Sequence, residues 1–121
     1  MTFTRVTAVF GGGGARYIID ELDRGACGAM PAVELTDLHV ALWSADASGD
    51  RAQARRLYRL SLPLLTAQAV YRMRLTKLVL AQRGIADAQH VRASLPEMDA
   101  FTERDVATML GDLLAEFPTK K

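Results

Sequence analysis

Residues 4–14, Thr-Arg-Val-Thr-Ala-Val-Phe-Gly-Gly-Gly-Gly, decide the fold of this chain. The run from Thr4 to Phe10 is short, β-branched and mostly apolar, and it stops abruptly at the glycines Gly11 to Gly14. A short apolar run bounded by glycine is typical of a buried strand. The sequence therefore predicts a strand followed by a tight glycine loop.

A short helix and a second strand follow the glycine loop. Ala15 to Arg24 combines apolar and charged side chains and is closed by Gly25, which indicates a helix. Ala26 to Ala32 is small, apolar and too short for a helix, so it predicts a second buried strand. The order strand, helix, strand predicts a βαβ unit with parallel strands and a right-handed crossover.

The rest of the chain is predicted to be helical. Ser48-Gly49-Asp50 looks like a helix stop followed by an N-cap, and Pro63 is expected to kink or divide a helix. Residues 85–98 look like an ordered loop around Pro96. The predicted helices are Val33 to Ala47, Asp50 to about Leu65, Thr66 to Arg83 ending at Gly84, and Thr102 to Phe117.

One βαβ unit with four helices is unbalanced, because two parallel strands cannot cover their own faces and edges. The end of a barrel explains the pattern better. We therefore predict an α/β chain that is the C-terminal portion of a TIM (β/α)8 barrel, with its last two parallel strands in residues 1–33. Residues 34–121 would be helices packed on the barrel, and the two parts together would form one partial domain. A whole barrel needs roughly 250 residues.

Composition excludes several classes of protein. The chain has 121 residues with 15 basic and 14 acidic side chains. Its net charge of +1 is too small to draw it toward nucleic acid or membrane. A single cysteine excludes an intrachain disulfide. The N-terminus does not have the pattern of a signal peptide, and no apolar run approaches roughly 18 residues. We expect a cytoplasmic protein without a cofactor.

Five sequence motifs resemble one enzyme family. The first two are Val9-Phe10-Gly11-Gly12-Gly13-Gly14 with Arg16-Tyr17, and Asp20-Glu21-Leu22 with Arg24-Gly25-Ala26 and Gly28-Ala29-Met30-Pro31-Ala32. They are similar to strands seven and eight of the dihydrodipicolinate synthase / N-acetylneuraminate lyase family. The other motifs agree in order and spacing: Gly49-Asp50 with Ala54 and Leu57, Leu62-Pro63-Leu64, and Lys77-Leu78-Val79-Leu80 with Arg83-Gly84-Ile85 and Arg92.

The resemblance implies a class I aldolase or dehydratase, that is, a lyase acting on pyruvate or another 2-keto acid. In the family a lysine on strand six forms the Schiff base, a tyrosine on strand four moves protons, and a threonine-rich loop after strand two holds the carboxylate. The matching segments are not in this sequence, so no catalytic residue is assigned. The chain would be a fragment that is inactive alone.

By the same resemblance, the glycine loop and the second strand line the keto-acid pocket. Gly12 or Gly13 matches the loop glycine, and Met30 matches the strand residue beside the bound keto acid. Many relatives have acidic residues after the loop glycine, whereas this chain has Gly13, Gly14 and Ala15. That difference favours the sugar-acid dehydratase or uncharacterised branches over a dihydrodipicolinate-type substrate.

Other chemistry has less support. The glycine run could bind phosphate, but it lacks the lysine and hydroxyl residue of a Walker loop, and a tight turn with a pocket floor is favoured. Lys77 lies in a predicted helix and does not match the family's lysine, so a structural lysine is expected. Cys27 is expected to be an inert packing thiol.

The remaining candidates have ordinary structural explanations. His39 and His90 have no partner at ligand spacing, so no metal site is expected. Glu34 could face the pocket mouth or be a solvated acid in the first turn of a helix. Trp43 and Tyr58 are expected to pack in the helical layer. A solvated or subunit-facing basic surface is expected from the arginines at positions 51, 55, 56, 59, 72 and 74.

Two functional hypotheses follow, besides the possibility of a truncated gene product. The first is a C-terminal remnant of a Schiff-base lyase. The second is a non-catalytic association module, either a homo-oligomer or the partner of a separate N-terminal barrel chain, because unpaired strand edges seek a partner.

Overall fold

The computed structural model of the protein describes residues 6–87 and 89–117. Two short strands flank the first helix, and four longer helices follow. The elements are β1 (Phe10–Gly11), α1 (Ile18–Asp23), β2 (Gly28–Ala29), α2 (Thr36–Ala47), α3 (Arg51–Tyr71), α4 (Met73–Gln82) and α5 (Ala100–Glu116). Single 3-10 turns at Gly13–Ala15 and Val33–Leu35 lead into α1 and α2.

The predicted βαβ unit is confirmed, because β1 and β2 pair in parallel across the intervening helix α1. Phe10 lies opposite Gly28, and Gly11 lies opposite Ala29. Two further bonds extend the pairing: the Cys27 amide donates to the Val9 carbonyl at 2.8 Å, and the Met30 amide donates to the Gly11 carbonyl at 3.0 Å.

The predicted strands are too long and are not buried. Residues 6–9 and 26–27 are not in strands, and Thr4 and Arg5 lie outside the described residues. The Phe10 side chain is 58% exposed and Met30 is 74% exposed. Each strand has only one strand neighbour within the part of the chain that the structure describes, so its other edge is not paired there.

The core lies in the helical layer instead. The apolar side chains that recur at helical spacing within the predicted helix Val33 to Ala47 are all buried, namely Leu35, Leu38, Leu42 and Ala45. The helix α1 contributes Ile18 and Ile19 to the same cluster. The other helices supply the remaining large members of this core, which are Leu57, Leu64, Leu65, Leu75, Val79, Val106, Leu110 and Leu113.

Aspartates cap the starts of both α3 and α5, and the sequence predicted the first of these caps. The Asp50 carboxylate accepts a bond from the Gln53 amide at 3.1 Å, which confirms it as the N-cap of α3. The Asp99 carboxylate accepts from the Thr102 amide at 2.8 Å, so α5 begins at Ala100 rather than Thr102.

The expectation that Pro63 divides two helices is wrong. The helix α3 continues through Pro63 to Tyr71. Pro63 is exposed, so water can reach the carbonyl that loses its backbone partner at that turn. The break falls at Arg72 instead, where φ is 54° and ψ is −128°. That backbone conformation is strained for any residue with a Cβ atom.

Replacing Arg72 with glycine should therefore stabilise the protein. Glycine adopts this conformation without the steric cost, so we expect Arg72→Gly to raise the free energy of unfolding by about 1 kcal/mol. Arg72→Ala is the matched control, because it removes the exposed side chain but keeps the Cβ atom. Urea unfolding followed by circular dichroism measures both variants; an alanine variant as stable as the glycine variant would contradict the prediction.

Candidate functional site

The three residues predicted to line the pocket lie at one edge of the small sheet. Gly12 and Gly13 follow β1, and Met30 follows β2. Because the strands are parallel, their carboxyl ends meet, and the bond from the Met30 amide to the Gly11 carbonyl joins the two ends directly. A Cβ atom at Gly12 or Gly13 would have no atom within 4 Å, so this part of the loop faces open space. That a keto acid binds there stays a prediction.

The glycine loop is a left-handed turn. Gly13, Gly14 and Ala15 all have φ of 68°, a conformation that favours glycine. Ala15 adopts it although it carries a Cβ atom, and its side chain is fully buried in the core. The core therefore holds the end of the loop in place against local strain.

Two residues of the helix α3, Tyr58 and Gln68, lie against this loop. The Tyr58 hydroxyl donates to the Arg16 carbonyl. The Oε1 atom of Gln68 lies 3.4 Å from the position that a Cβ atom at Gly14 would occupy, and the Arg16 Nη1 atom lies 3.9 Å from the same position. Tyr58 packs in the helical layer as predicted, and it also fixes the backbone just after the loop.

A groove of about 470 Å³ runs between β2 and α2. Val40 and Trp43 of α2 form one wall, and Phe10 and Met30 line it from the sheet. Trp43 is 41% exposed, so the expectation that it packs in the helical layer is wrong. The reason is the position of its helix: Leu38 and Leu42 turn one face of α2 to the core, which leaves the Trp43 face toward the groove.

His39 borders the same groove but is almost completely buried. Neither ring nitrogen has a hydrogen-bond partner within residues 6–87 and 89–117. Burial lowers the pKa of His39, and the nearby Asp37 carboxylate opposes that shift. The described part of the chain holds no group of three His, Cys, Asp or Glu side chains that could bind a metal ion.

A second groove, of about 560 Å³, lies beside β1 and α1. Glu21 lines it, and its carboxylate occupies the space that a side chain at position 11 would need: a Cβ atom there would lie 1.4 Å from Glu21 Oε2. A side chain at position 11 would thus have to displace the Glu21 carboxylate. Cys27 also lines this groove and is exposed, so the expected packing role for its thiol is wrong.

Glu34 is neither a solvated acid nor a residue of the pocket mouth. Its side chain is 2% exposed, and its Oε2 atom has no partner among the described residues. Burial raises the pKa of Glu34, and a hydrogen bond with Thr76 partly opposes the rise. Arg83 holds this region together: its Nη1 atom donates to the Glu34 carbonyl at 2.6 Å and to Asp37 at 3.0 Å.

The raised pKa of Glu34 predicts a pH-dependent cost of folding. The folded state binds the proton more tightly than the unfolded state, where the pKa is near 4.5. The contribution of Glu34 to stability is therefore greatest below pH 4.5 and falls as pH rises through the folded pKa. Glu34→Gln should stabilise the protein at pH 7.5 and gain little at pH 4.

Urea unfolding of both proteins at the two pH values measures this difference, because other titrating groups cancel between them. Glu97→Gln is a matched control, since Glu97 is an exposed glutamate in the loop before α5. An equal gain for Glu34→Gln at pH 4 and pH 7.5 would show that its carboxyl is not the source of the effect.

Lys77 lies away from the edge where the strands end. It belongs to α4, and its Nζ atom donates to the His90 carbonyl in the loop between α4 and α5. The other lysines of the chain, Lys120 and Lys121, lie outside the described residues. The structural role expected for Lys77 agrees with this contact.

Comparison with known proteins identifies a structural relative. No family model and no curated protein sequence matches the chain. The crystal structure of dihydrodipicolinate synthase from Rhodopseudomonas palustris matches with a TM-score of 0.79 and 26% sequence identity. The match covers 88% of this chain and 36% of that one, so this chain spans about a third of the length of its relative.

The match confirms the predicted resemblance to the dihydrodipicolinate synthase family. It also places the two parallel strands and the following helices within a fold of that family. None of the described helices is both long and apolar enough to cross a membrane.

Proposed function

We propose that this chain, which has the fold of the C-terminal part of a dihydrodipicolinate synthase family protein, forms one wall of a 2-keto-acid pocket in a Schiff-base lyase. The observation that supports this most is the position of Gly12, Gly13 and Met30 at the common carboxyl edge of two parallel strands. In barrel enzymes, substrates bind at that edge.

The chain would shape the pocket and leave bond making to other residues. The open face of Gly12 and Gly13 lets a ligand approach the backbone closely, and the exposed Met30 side chain gives an apolar contact. Catalysis in such a lyase requires a lysine that forms a Schiff base with the keto acid and so stabilises a carbanion-like intermediate. Lys77 lies on α4 and donates to the His90 carbonyl in the following loop, and we assign it no catalytic role.

The chain alone should therefore fail to form a Schiff base. We expect incubation with pyruvate and sodium borohydride to leave its intact mass unchanged, because no described lysine lies at the strand edge. A complete lyase of the family, treated in parallel, is the positive control and should gain one reduced pyruvate. A pyruvate adduct on Lys77, located by peptide mass spectrometry, would contradict the proposal.

A second candidate function is association with another chain. One edge of β2 has no strand partner among the described residues, and this edge and the exposed apolar groove favour this role. Val40, Trp43 and Met30 bring large apolar surfaces to one place, and surfaces of this kind mark interfaces. A strand added to the free edge of β2 would lie in the groove and bury these side chains. The partner would be a second copy of this chain or an N-terminal barrel chain.

Association through this groove should be visible as self-association of the isolated chain. We expect Val40→Asp to weaken it at least about tenfold, since an unpaired carboxylate in a closed apolar interface is costly. Val70→Asp is a matched control, because Val70 is a similarly exposed valine on α3 that does not line the groove. Size-exclusion chromatography with light scattering measures the mass of each variant over a range of concentrations.

The single tryptophan of the chain, Trp43, reports on the groove directly. Its emission should shift to shorter wavelength as the concentration rises, and the amides of Gly28 and Ala29 should gain protection from hydrogen exchange. A monomer at all concentrations with protected strand amides would contradict this second function, as would equal weakening by Val40→Asp and Val70→Asp.

A further inference from the structure

Arg16, immediately after the glycine loop, has no carboxylate partner among the described residues. The acidic residues of the neighbouring helix α1 are engaged elsewhere: Asp20 pairs with Arg24 at 3.0 Å, and Asp23 pairs with Arg51. The Glu21 carboxylate lies against Gly11. No carboxylate within the described ranges lies within 4.0 Å of the Arg16 guanidinium.

The structure holds Arg16 in a defined position. Its amide donates to the Gly13 carbonyl at 3.4 Å, and its own carbonyl accepts the bond from Tyr58. Its Nη1 atom and the Gln68 Oε1 atom approach the same point beside Gly14. The residue as a whole is partly buried. The backbone that carries the Arg16 side chain is therefore fixed next to the open loop.

A guanidinium on a partly buried residue, with no carboxylate partner among the described residues, is suited to bind an anion from a ligand. Its planar array of donors matches a carboxylate, to which it can donate two parallel hydrogen bonds. The Gln68 side chain lies beside it with Oε1 on the near side, and rotation about its last bond would present the two N–H donors of its amide to the same group. The loop glycines leave room for that group to approach, because no described atom lies within 4 Å of where a Cβ atom of Gly12 or Gly13 would be.

We propose that Arg16, assisted by Gln68, binds a second carboxylate of the substrate, so that the pocket takes 2-keto acids with an acidic group at their far end. This inference rests on the proposed function, because the keto-acid end of the same molecule would lie at Gly12, Gly13 and Met30. Arg16 is a specificity-determining residue in this proposal and takes no part in bond making.

Titration of the isotope-labelled chain by NMR tests the proposal with three probes at equal ionic strength. Pyruvate has the keto acid alone, succinate has two carboxylates without a keto group, and 2-oxoglutarate has both features. We expect 2-oxoglutarate to bind at least about fivefold more tightly than pyruvate and to shift the Arg16 side-chain signals. That preference should disappear in Arg16→Ala and be reduced in Arg16→Lys and Gln68→Ala.

Arg24→Ala is the matched control, because it removes a nearby arginine that already has the Asp20 carboxylate as its partner. It should keep the preference for 2-oxoglutarate. A dispersed amide spectrum shows that each variant is folded.

The outcomes separate this proposal from the proposed function. If pyruvate shifts the signals of Gly12, Gly13 and Met30 but 2-oxoglutarate binds no better, the role of Arg16 is wrong and the keto-acid site stands. If succinate shifts the Arg16 signals of the native chain and Arg16→Ala loses succinate binding, while pyruvate has no effect on either protein, the anion site stands and the keto-acid site is wrong. If none of the three probes shifts Arg16, or if the preference survives in Arg16→Ala, the proposal is overturned.

Discussion

The packing of α2 against α3 supports every other element of this chain. Leu38 and Leu42 of α2 and Ala54 and Leu57 of α3 are all fully buried where these helices meet. The helix α1 joins that core through Ile18 and Ile19. The strands β1 and β2 come directly before and after α1 in the chain. None of the described strand residues is itself buried. The sheet therefore depends on the helices for its position, although in a complete barrel the strands would form a core of their own.

This dependence explains where sequence reasoning succeeded. The stripe of Leu35, Leu38 and Leu42 has the helical period, and its burial was predictable because helix packing needs only neighbours within the chain. The order of the βαβ unit was predictable for a similar reason, since short apolar runs and the Gly11 to Gly14 loop are local signals. The Asp50 cap followed from a local pattern as well.

Sequence reasoning failed where the outcome depends on spatial neighbours. The apolar run around Phe10 looks like a buried strand, but burial requires a facing layer that the described residues do not supply. Glu34 looks like a solvated acid of a helix start. It is buried because α4 packs beside it, with Thr76 in that helix and Arg83 at its end. Arg72 carries no sequence signal for a left-handed joint, whereas Pro63 carries a strong signal for a break that its exposed position makes unnecessary. The candidate pocket residues could be named only through the family resemblance, and Arg16 became a candidate only once its lack of a carboxylate partner among the described residues was visible.

The bond from the Tyr58 hydroxyl to the Arg16 carbonyl has a consequence for how such a pocket can diverge. It ties the turn that carries Arg16 to the middle of the longest helix, so the height of that turn depends on how α3 sits on α2. A change of volume at Leu57, one position away in the helical core, can thus move the proposed binding group without altering any residue at the strand edge. If the proposed pocket exists, selection acting on the outer helices of this chain would then also be selection on its ligand.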